Sequence, residues 1–472
     1  MGRLIIVSNR TPGKDPAAGG LAVALRKVLS EREGFWFGWS GKLTEAPSPD
    51  AVFDDIEGDR VGKIDLTRED HHAYYAGFSN SILWPSFHLR LDLATIEAPW
   101  YEGYRRVNTQ FAKALLPHLR PDDVIWVHDY HLIPLATELR NLGARNRIGF
   151  YLHIPFPTTD ALYAIPHHNE LMRDLSRYNL VGLQAQRDVA AFTDFADHQS
   201  PSSLADGPLE AVDFSQTEIA VFPIGSDPDA FARLATSPAA NKMSKRMVRA
   251  MDDQRLILGV DRLDYSKGLP QRVEAYEKLL ANNPQFRRLV HLLQVAPPSR
   301  DTIKEYQETS DTLDAMCGHV MGRFAEPDWA PLTYVKRAYG QPSLAGLYRL
   351  ARVGLVTPLR DGMNLVAHEY IASQNPEDPG VLVLSRFAGA AEIFPEALLV
   401  NPFDTDETAE ALRLALNMGL DERKERWQAL MAAARHYSVD NWAANFLASL
   451  TPTDPQSADG SPRDVLYLAS VA

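Results

Sequence analysis

Short runs of consecutive apolar residues recur along the chain, and several lead through a loop into apolar positions at helical spacing. Residues 4–7 precede a glycine-containing loop and a helix-like stretch at 21–29, residues 124–127 precede 132–139, and residues 148–152 precede a proline-rich loop. The second half repeats the arrangement, with 256–260 before 271–280, 353–356 before 365–372 and 381–384 before 390–394. Strands buried on both faces read as continuous apolar runs, and strand–helix alternation builds a parallel sheet covered by helices. The pattern predicts an α/β chain with two doubly wound domains. A strand-like 219–222 followed by the turn-forming run Pro223-Ile224-Gly225-Ser226-Asp227-Pro228 places the boundary near residue 225. Residues 198–207 read as a polar surface loop. A segment rich in Pro, Ser, Asp and Gly opens a flexible tail over 451–472.

Composition narrows the function classes. At 472 residues the chain is too long for one compact domain, and 45% hydrophobic with 23% charged residues is globular. The 48 basic and 61 acidic residues leave a net charge of −13, which argues against a nucleic-acid partner but leaves room for a local cationic pocket holding a phosphorylated metabolite. The single Cys317 cannot form an internal disulfide and fits a reducing compartment. The apolar run at 4–7 meets Asn9-Arg10 at once, too soon for a signal peptide, and Ile6 stands where a myristoylation motif needs Ser or Thr. No stretch approaches the roughly 20 apolar residues of a membrane span. These features predict a soluble cytoplasmic protein with no membrane partner.

The common nucleotide and hydrolase signatures fail. No Gly-x-Gly occurs; Gly13-Lys14 lacks both the first glycine and the Ser/Thr of a P-loop; His368-Glu369 has Ala372 where a zincin needs its second histidine; Gly38-Trp39-Ser40-Gly41 is one residue short of a nucleophile elbow. Polar residues placed just after expected parallel strands remain, where open α/β sheets bind ligands. Arg10 follows the first strand and Gly19-Gly20 precede the first helix, whose free N–H groups suit a phosphate. Asp129, His153, and the pair Arg262 and Lys267 follow later strands. Asp361-Gly362-Met363-Asn364 follows another and leads into a helix bearing Glu369. Singly, each has a plainer reading: a solvated loop arginine, a glycine turn, an exposed helix glutamate. His128, Asp129 and His131 lack an acidic or cysteine partner at metal-ligand spacing. His71-His72 and His167-His168 read as surface or loop pairs, and Trp36, Trp39, Trp84 and Trp100 as packing residues. The repetition of polar strand ends in both domains favours a cleft in which Arg262, Lys267 and a helix N-terminus meet a diphosphate, Glu369 accepts ribose hydroxyls and Arg10 takes a second anion.

The ordered set of motifs is more specific than any one of them. Ser8-Asn9-Arg10, Ala18-Gly19-Gly20-Leu21, Trp36-Phe37-Gly38-Trp39-Ser40-Gly41, the segment 74–80 and Leu83-Trp84-Pro85 are joined by His128-Asp129-Tyr130-His131 and His153-Ile154-Pro155-Phe156-Pro157. Asp264-Tyr265-Ser266-Lys267-Gly268 and the segment 357–366 complete it. Over about residues 3–450 the chain resembles the α,α-trehalose-6-phosphate synthases, retaining glucosyltransferases. The resemblance implies a GT-B fold: two Rossmann-like doubly wound domains facing each other across a cleft. They would cover 1–225 and 226–437, with a crossover helix at about 438–450 returning to the first domain. It implies transfer of glucose from UDP-glucose to glucose 6-phosphate as the two small-molecule substrates, with no cofactor and no metal.

By position, the resemblance assigns Arg10, Tyr75 and Arg300 to the acceptor phosphate, Asp129 to acceptor hydroxyls, and Trp84 and Ile154 to the acceptor pocket. Gly19, Gly20, Arg262 and Lys267 would hold the donor diphosphate. Asp361, Gly362, Met363 and His153 would hold the transferred glucose. Asn364, Leu365, Val366, Ala367, His368 and Glu369 would bind phosphate and ribose, and Tyr339 would lie near the base. Arg262, Lys267, His153 and Asp129 are the residues expected to carry catalysis, the last two by positioning. Ser226 in the hinge run, His368 where Lys is frequent, and Gly340-Gln341-Pro342 depart from the family pattern. The nucleoside (UDP, GDP or ADP) and the oligomeric state (dimer or tetramer among the options) stay open. Two rival readings are a synthase using another phosphorylated acceptor, such as glycerol 3-phosphate, and a catalytically silent sugar-phosphate sensor.

Overall fold

The computed structural model describes residues 2–12, 20–47, 50–56, 58–199, 211–251, 254–300 and 303–451. Gly19, most of the 13–20 loop, nearly all of the 198–207 segment and the tail beyond Thr451 lie outside the described residues. The chain divides into two compact units, one reaching Pro223 and resuming at Trp442, the other spanning Ile224–Asn441.

The first unit contains β1 (Leu4–Arg10), β2 (Gly34–Thr44), β3 (Val52–Ile56), β4 (Asp59–Thr67), β5 (Val124–His128), β6 (Arg147–Tyr151), β7 (Leu180–Leu183) and β8 (Glu218–Val221). They form one sheet in the order β3-β4-β2-β1-β5-β6-β7-β8, parallel except for the antiparallel edge strand β3. The apolar run of β1 is wholly buried because sheet neighbours flank it on both sides, with Ile6 opposite Trp36 of β2 and Trp126 of β5. The chain builds outward from β1 through β2 and β4, then returns to place β5 on the other side of β1. That reversal makes the carboxyl ends of β1 and β5 the switch point where open sheets bind ligands.

The second unit repeats this order on a smaller scale. Its strands are β9 (Arg255–Val260), β10 (Val290–Val295), β11 (Leu332–Val335), β12 (Val353–Val356), β13 (Val381–Ser385) and β14 (Leu398–Val400), arranged β11-β10-β9-β12-β13-β14, all parallel. Here the switch point lies between β9 and β12. Cys317 is buried in this unit's core.

Helices named below are α1 (Gly20–Ser30), α2 (Leu269–Asn282), α3 (Leu365–Ser373) and α4 (Val439–Leu450). From Trp442 onward α4 packs on the first sheet. Phe446 stacks on Trp126, with centroids 4.6 Å apart, and lies over Gly149 and Gly182 of β6 and β7. A β-carbon at either glycine would stand 2.8 Å from the Phe446 ring, so the helix sits at this depth only because those positions lack side chains. Arg147 Nε donates to Leu450 O at 2.5 Å and ties down the end of the helix.

Candidate active site

Arg10 closes β1. Its backbone is fixed by Ser8, whose Oγ donates to Arg10 O at 2.9 Å and accepts from the buried Trp36 Nε1 at 2.7 Å. The guanidinium lies 5.7 Å from the Trp39 ring centroid, beside Gly41. Facing it is a helix wound more widely than an α-helix, a π-helix over His71–Leu83. Residues four apart share one side of such a helix, and His71 stacks on Tyr75 with centroids 5.2 Å apart. His71 also meets Trp39 at 5.1 Å, and Tyr75 stacks on His131 at 5.7 Å. Burial, His72 and Arg10 together hold the His71 imidazole below its ordinary pKa. The expectation of a surface or loop pair fails for His71, which is half-buried in this helix, while His72 is exposed; of the other pair His167 is exposed and His168 half-buried.

Asp129 follows β5 with φ of 77° and ψ of 161°. Such a backbone costs a non-glycine residue about 1–3 kcal/mol and persists only where the surroundings enforce it. Here the carboxylate Oδ1 accepts from Tyr130 N at 3.1 Å and His153 N at 3.3 Å, joining the ends of β5 and β6. His153 Nε2 lies 3.0 Å from His128 Nδ1. Burial lowers both imidazoles, His153 to about 3. Trp84 and Ile154 are buried, Trp84 beside Tyr130 with centroids 5.9 Å apart.

In the second unit the loop after β9 carries Arg262, exposed, and Lys267, buried. Lys267 Nζ donates to Asp361 Oδ2 at 2.5 Å, and Asn364 Nδ2 donates to the same oxygen at 3.0 Å. The ends of β9 and β12 are thus joined at their switch point. Gly268 makes the approach feasible: its φ is 65°, and a β-carbon would stand 2.3 Å from Thr357 O. Behind it the fully buried Arg272 pairs with Asp261 at 2.8 Å and donates to Thr357 Oγ1 and Gln294 Oε1, each at 3.1 Å. Asp264 accepts from Ser266 N and Oγ at 2.9 Å and from the Tyr306 hydroxyl at 3.2 Å. Burial pushes its pKa up, yet Arg300, Arg262 and Lys267 outweigh this and hold it below the ordinary carboxylate value. Arg300 Nη1 donates to Tyr306 Oη at 2.5 Å.

Asn364, with φ of 84°, precedes α3. Gly362 and Met363 are buried, while Leu365 and Val366 are half-buried at the helix start, where N–H groups have no partner within the helix. Glu369 is half-buried, not an exposed charge. Burial raises its pKa to about 7, although Tyr348, whose hydroxyl donates to it at 3.1 Å, opposes the shift. Ala367 and His368 point into the core. The His368 ring meets Phe394 edge-on at 4.6 Å and solvent does not reach it, so only its backbone can face a ligand. Tyr339 is half-buried, with the Arg337 guanidinium 4.7 Å over its ring. The unusual Gly340-Gln341-Pro342 run starts a helix, with Gly340 as its cap and proline in the first turn, where a missing N–H costs nothing. Gly20 opens α1.

Among the described residues six non-glycine residues have a left-handed φ, and three of them are Asp129, Arg300 and Asn364. Asp129 lies directly after β5 and Asn364 directly before α3. Sequence reasoning missed His128 as the partner of His153, His71 and His131 around Tyr75, and Tyr348 against Glu369. The spacings in the sequence carried no sign of these pairings. No group of three or more His, Cys, Asp or Glu among the described residues is placed to hold a metal, and no described helix is long and apolar enough to cross a membrane.

Known proteins match this chain over nearly its whole length. The trehalose-6-phosphate synthase of Sinorhizobium fredii is 47% identical over 458 residues, covering 96% of this chain and 98% of its own. That of Sodalis glossinidius is 44% identical, covering 95% and 96%. An α,α-trehalose-phosphate synthase (UDP-forming) from Burkholderia xenovorans, solved in complex with glucose-6-phosphate, superposes with a TM-score of 0.90 at 47% identity, covering 95% of this chain and 100% of that one. An E. coli structure bound with UDP-2-fluoro glucose gives 0.89 at 41%, covering 95% and 99%. The model of glycosyltransferase family 20 matches residues 7–452. With two parallel α/β sheets, polar switch points in each and this breadth of similarity, the chain belongs to glycosyltransferase family 20.

Proposed function

We propose that the chain transfers glucose, with retention, from UDP-glucose to glucose 6-phosphate, giving α,α-trehalose 6-phosphate and UDP. The observation that carries this reading furthest is the second unit's switch point. There Lys267, Asp361 and Asn364 are joined ahead of the N-terminus of α3, with Arg262 on the same loop as Lys267. A cation pair and free N–H groups suit a diphosphate, and Asp361 beside them suits sugar hydroxyls.

In this reading Arg262, Lys267 and the start of α3 (Leu365, Val366 and Ala367 by backbone) take up the negative charge that grows on the diphosphate as the glycosidic bond breaks. They bind the transition state more tightly than the bound donor. Gly19 and Gly20 add backbone contacts to the diphosphate. Asp361, Gly362, Met363 and His153 hold the transferred glucose, Glu369 the ribose, and Tyr339 lies toward the base. Arg10 and Tyr75 bind the acceptor phosphate, with Arg300 assigned to it as well. Asp129, Trp84 and Ile154 orient the acceptor sugar.

No pair of carboxylates is assigned as nucleophile and acid. The acceptor hydroxyl attacks from the face the diphosphate leaves, and the departing phosphate oxygen takes its proton. Cationic side chains do what a divalent ion would do, so no metal takes part. The test is product analysis by NMR after incubation with UDP-glucose and either glucose 6-phosphate or glycerol 3-phosphate. An α,α-linked disaccharide phosphate from the first acceptor alone is expected. Product from glycerol 3-phosphate alone would replace the acceptor, and binding without turnover would leave a sensor.

A further inference from the structure

The hydrogen bond between His128 and His153 has a direction that the surroundings fix. Both rings are neutral near pH 7 because burial opposes their protonation. A neutral imidazole offers one N–H and one lone pair, so across the 3.0 Å contact one ring donates and the other accepts. Were His153 the donor, the His128 proton would have to sit on Nε2. That atom is sealed from solvent and has no hydrogen-bond partner among the described residues. The indoles nearby, Trp126 at 4.7 Å and Trp442 at 6.2 Å between centroids, carry buried nitrogens that are likewise unpartnered and can only donate. A bare buried lone pair is tolerated better than a stranded N–H.

We infer that His128 carries its proton on Nδ1 and donates to His153 Nε2, which makes His153 Nδ1–H a fixed hydrogen-bond donor and His128 the positioning residue that fixes it. Asp129 holds the same residue from the backbone side through His153 N. A nitrogen that already bears its proton has no lone pair with which to take one. His153 therefore donates to an oxygen of the bound sugar and cannot serve there as the base for the acceptor hydroxyl. This inference rests on the proposed contact between His153 and the transferred glucose.

Substitution at His128 separates positioning from bulk. Asparagine places an amide N–H close to where imidazole Nδ1 stands; leucine places none. In the full chain, His128→Asn is expected to keep kcat within severalfold, and His128→Leu to lower it about 100-fold with the KM for glucose 6-phosphate little changed. Equal losses in the two variants would overturn the positioning role. Selective 15N-histidine labelling reads the tautomer directly, with His153→Leu identifying the signal. A protonated Nδ1 and bare Nε2 on His153 are expected, and the reverse would overturn the inference even if the His128 variants fold poorly. A His153→Leu enzyme as fast as the unsubstituted one would instead remove His153 from the site and leave the tautomer standing.

Discussion

At the scale of single residues, charge and burial at the strand ends decide what each group can do. Arg262 is exposed and Lys267 is paired with Asp361. Arg262→Ala is therefore expected to remove transition-state stabilisation directly, lowering kcat about 100-fold or more in a steady-state assay of UDP release. Near-unchanged turnover would move the diphosphate elsewhere. Arg10→Ala is expected chiefly to raise the KM for glucose 6-phosphate while that for UDP-glucose stays put. Glu369 gives a pH signature. Its pKa of about 7 is raised by burial, so below pH 7 the carboxyl is protonated and must lose its proton before accepting two ribose hydroxyls. The KM for UDP-glucose should rise as pH falls from 8 to 6, and Glu369→Gln should flatten that rise; an identical slope in the variant would take Glu369 out of the nucleotide site. The positions of Arg10, Asp129, His153, Lys267 and Asp361 are legible because each lies within seven residues after an apolar run. Their partners are not. His128 and His153 meet across β5 and β6, and Tyr348 reaches Glu369 from another helix, so neither pairing has a spacing to read.

At the scale of elements, the strands legible in the sequence are those whose runs of apolar residues and glycine no polar side chain interrupts and a helix-like segment or proline-rich loop follows. β10 was missed because His291 and Gln294 break its run. Gln294 is nevertheless buried, since it accepts from Arg272 and donates to Gly259 O. β2 reads as a motif because Gly, Trp and Phe dominate it, yet Trp36 and Trp39 are buried in the sheet. The π-helix over His71–Leu83 has no sequence signature, and it carries the stacked His71 and Tyr75 on one side. The helix α4 was expected at about 438–450 and occupies Val439–Leu450. Its anchor is Phe446 over the two strand glycines. Phe446→Ala should leave a cavity there and lower the first unit's stability by about 3–5 kcal/mol, measurable by denaturant unfolding; a change below about 1 kcal/mol would show that the aromatic stack on Trp126 is not what holds α4 down.

At the scale of the whole molecule, a chain of net charge −13 nevertheless gathers Arg300, Arg262 and Lys267 around one buried carboxyl, that of Asp264. Burial raises the Asp264 pKa, and those three cations outweigh it and hold it below the ordinary carboxylate value. Each unit's sheet reverses its strand order once and carries polar residues at that switch point. The most direct test is UDP released from UDP-glucose by the purified chain, with and without glucose 6-phosphate, in the presence of a chelator. Release that depends on glucose 6-phosphate and survives the chelator is the expected result. Release independent of acceptor, or abolished by the chelator, would contradict metal-free transfer to glucose 6-phosphate.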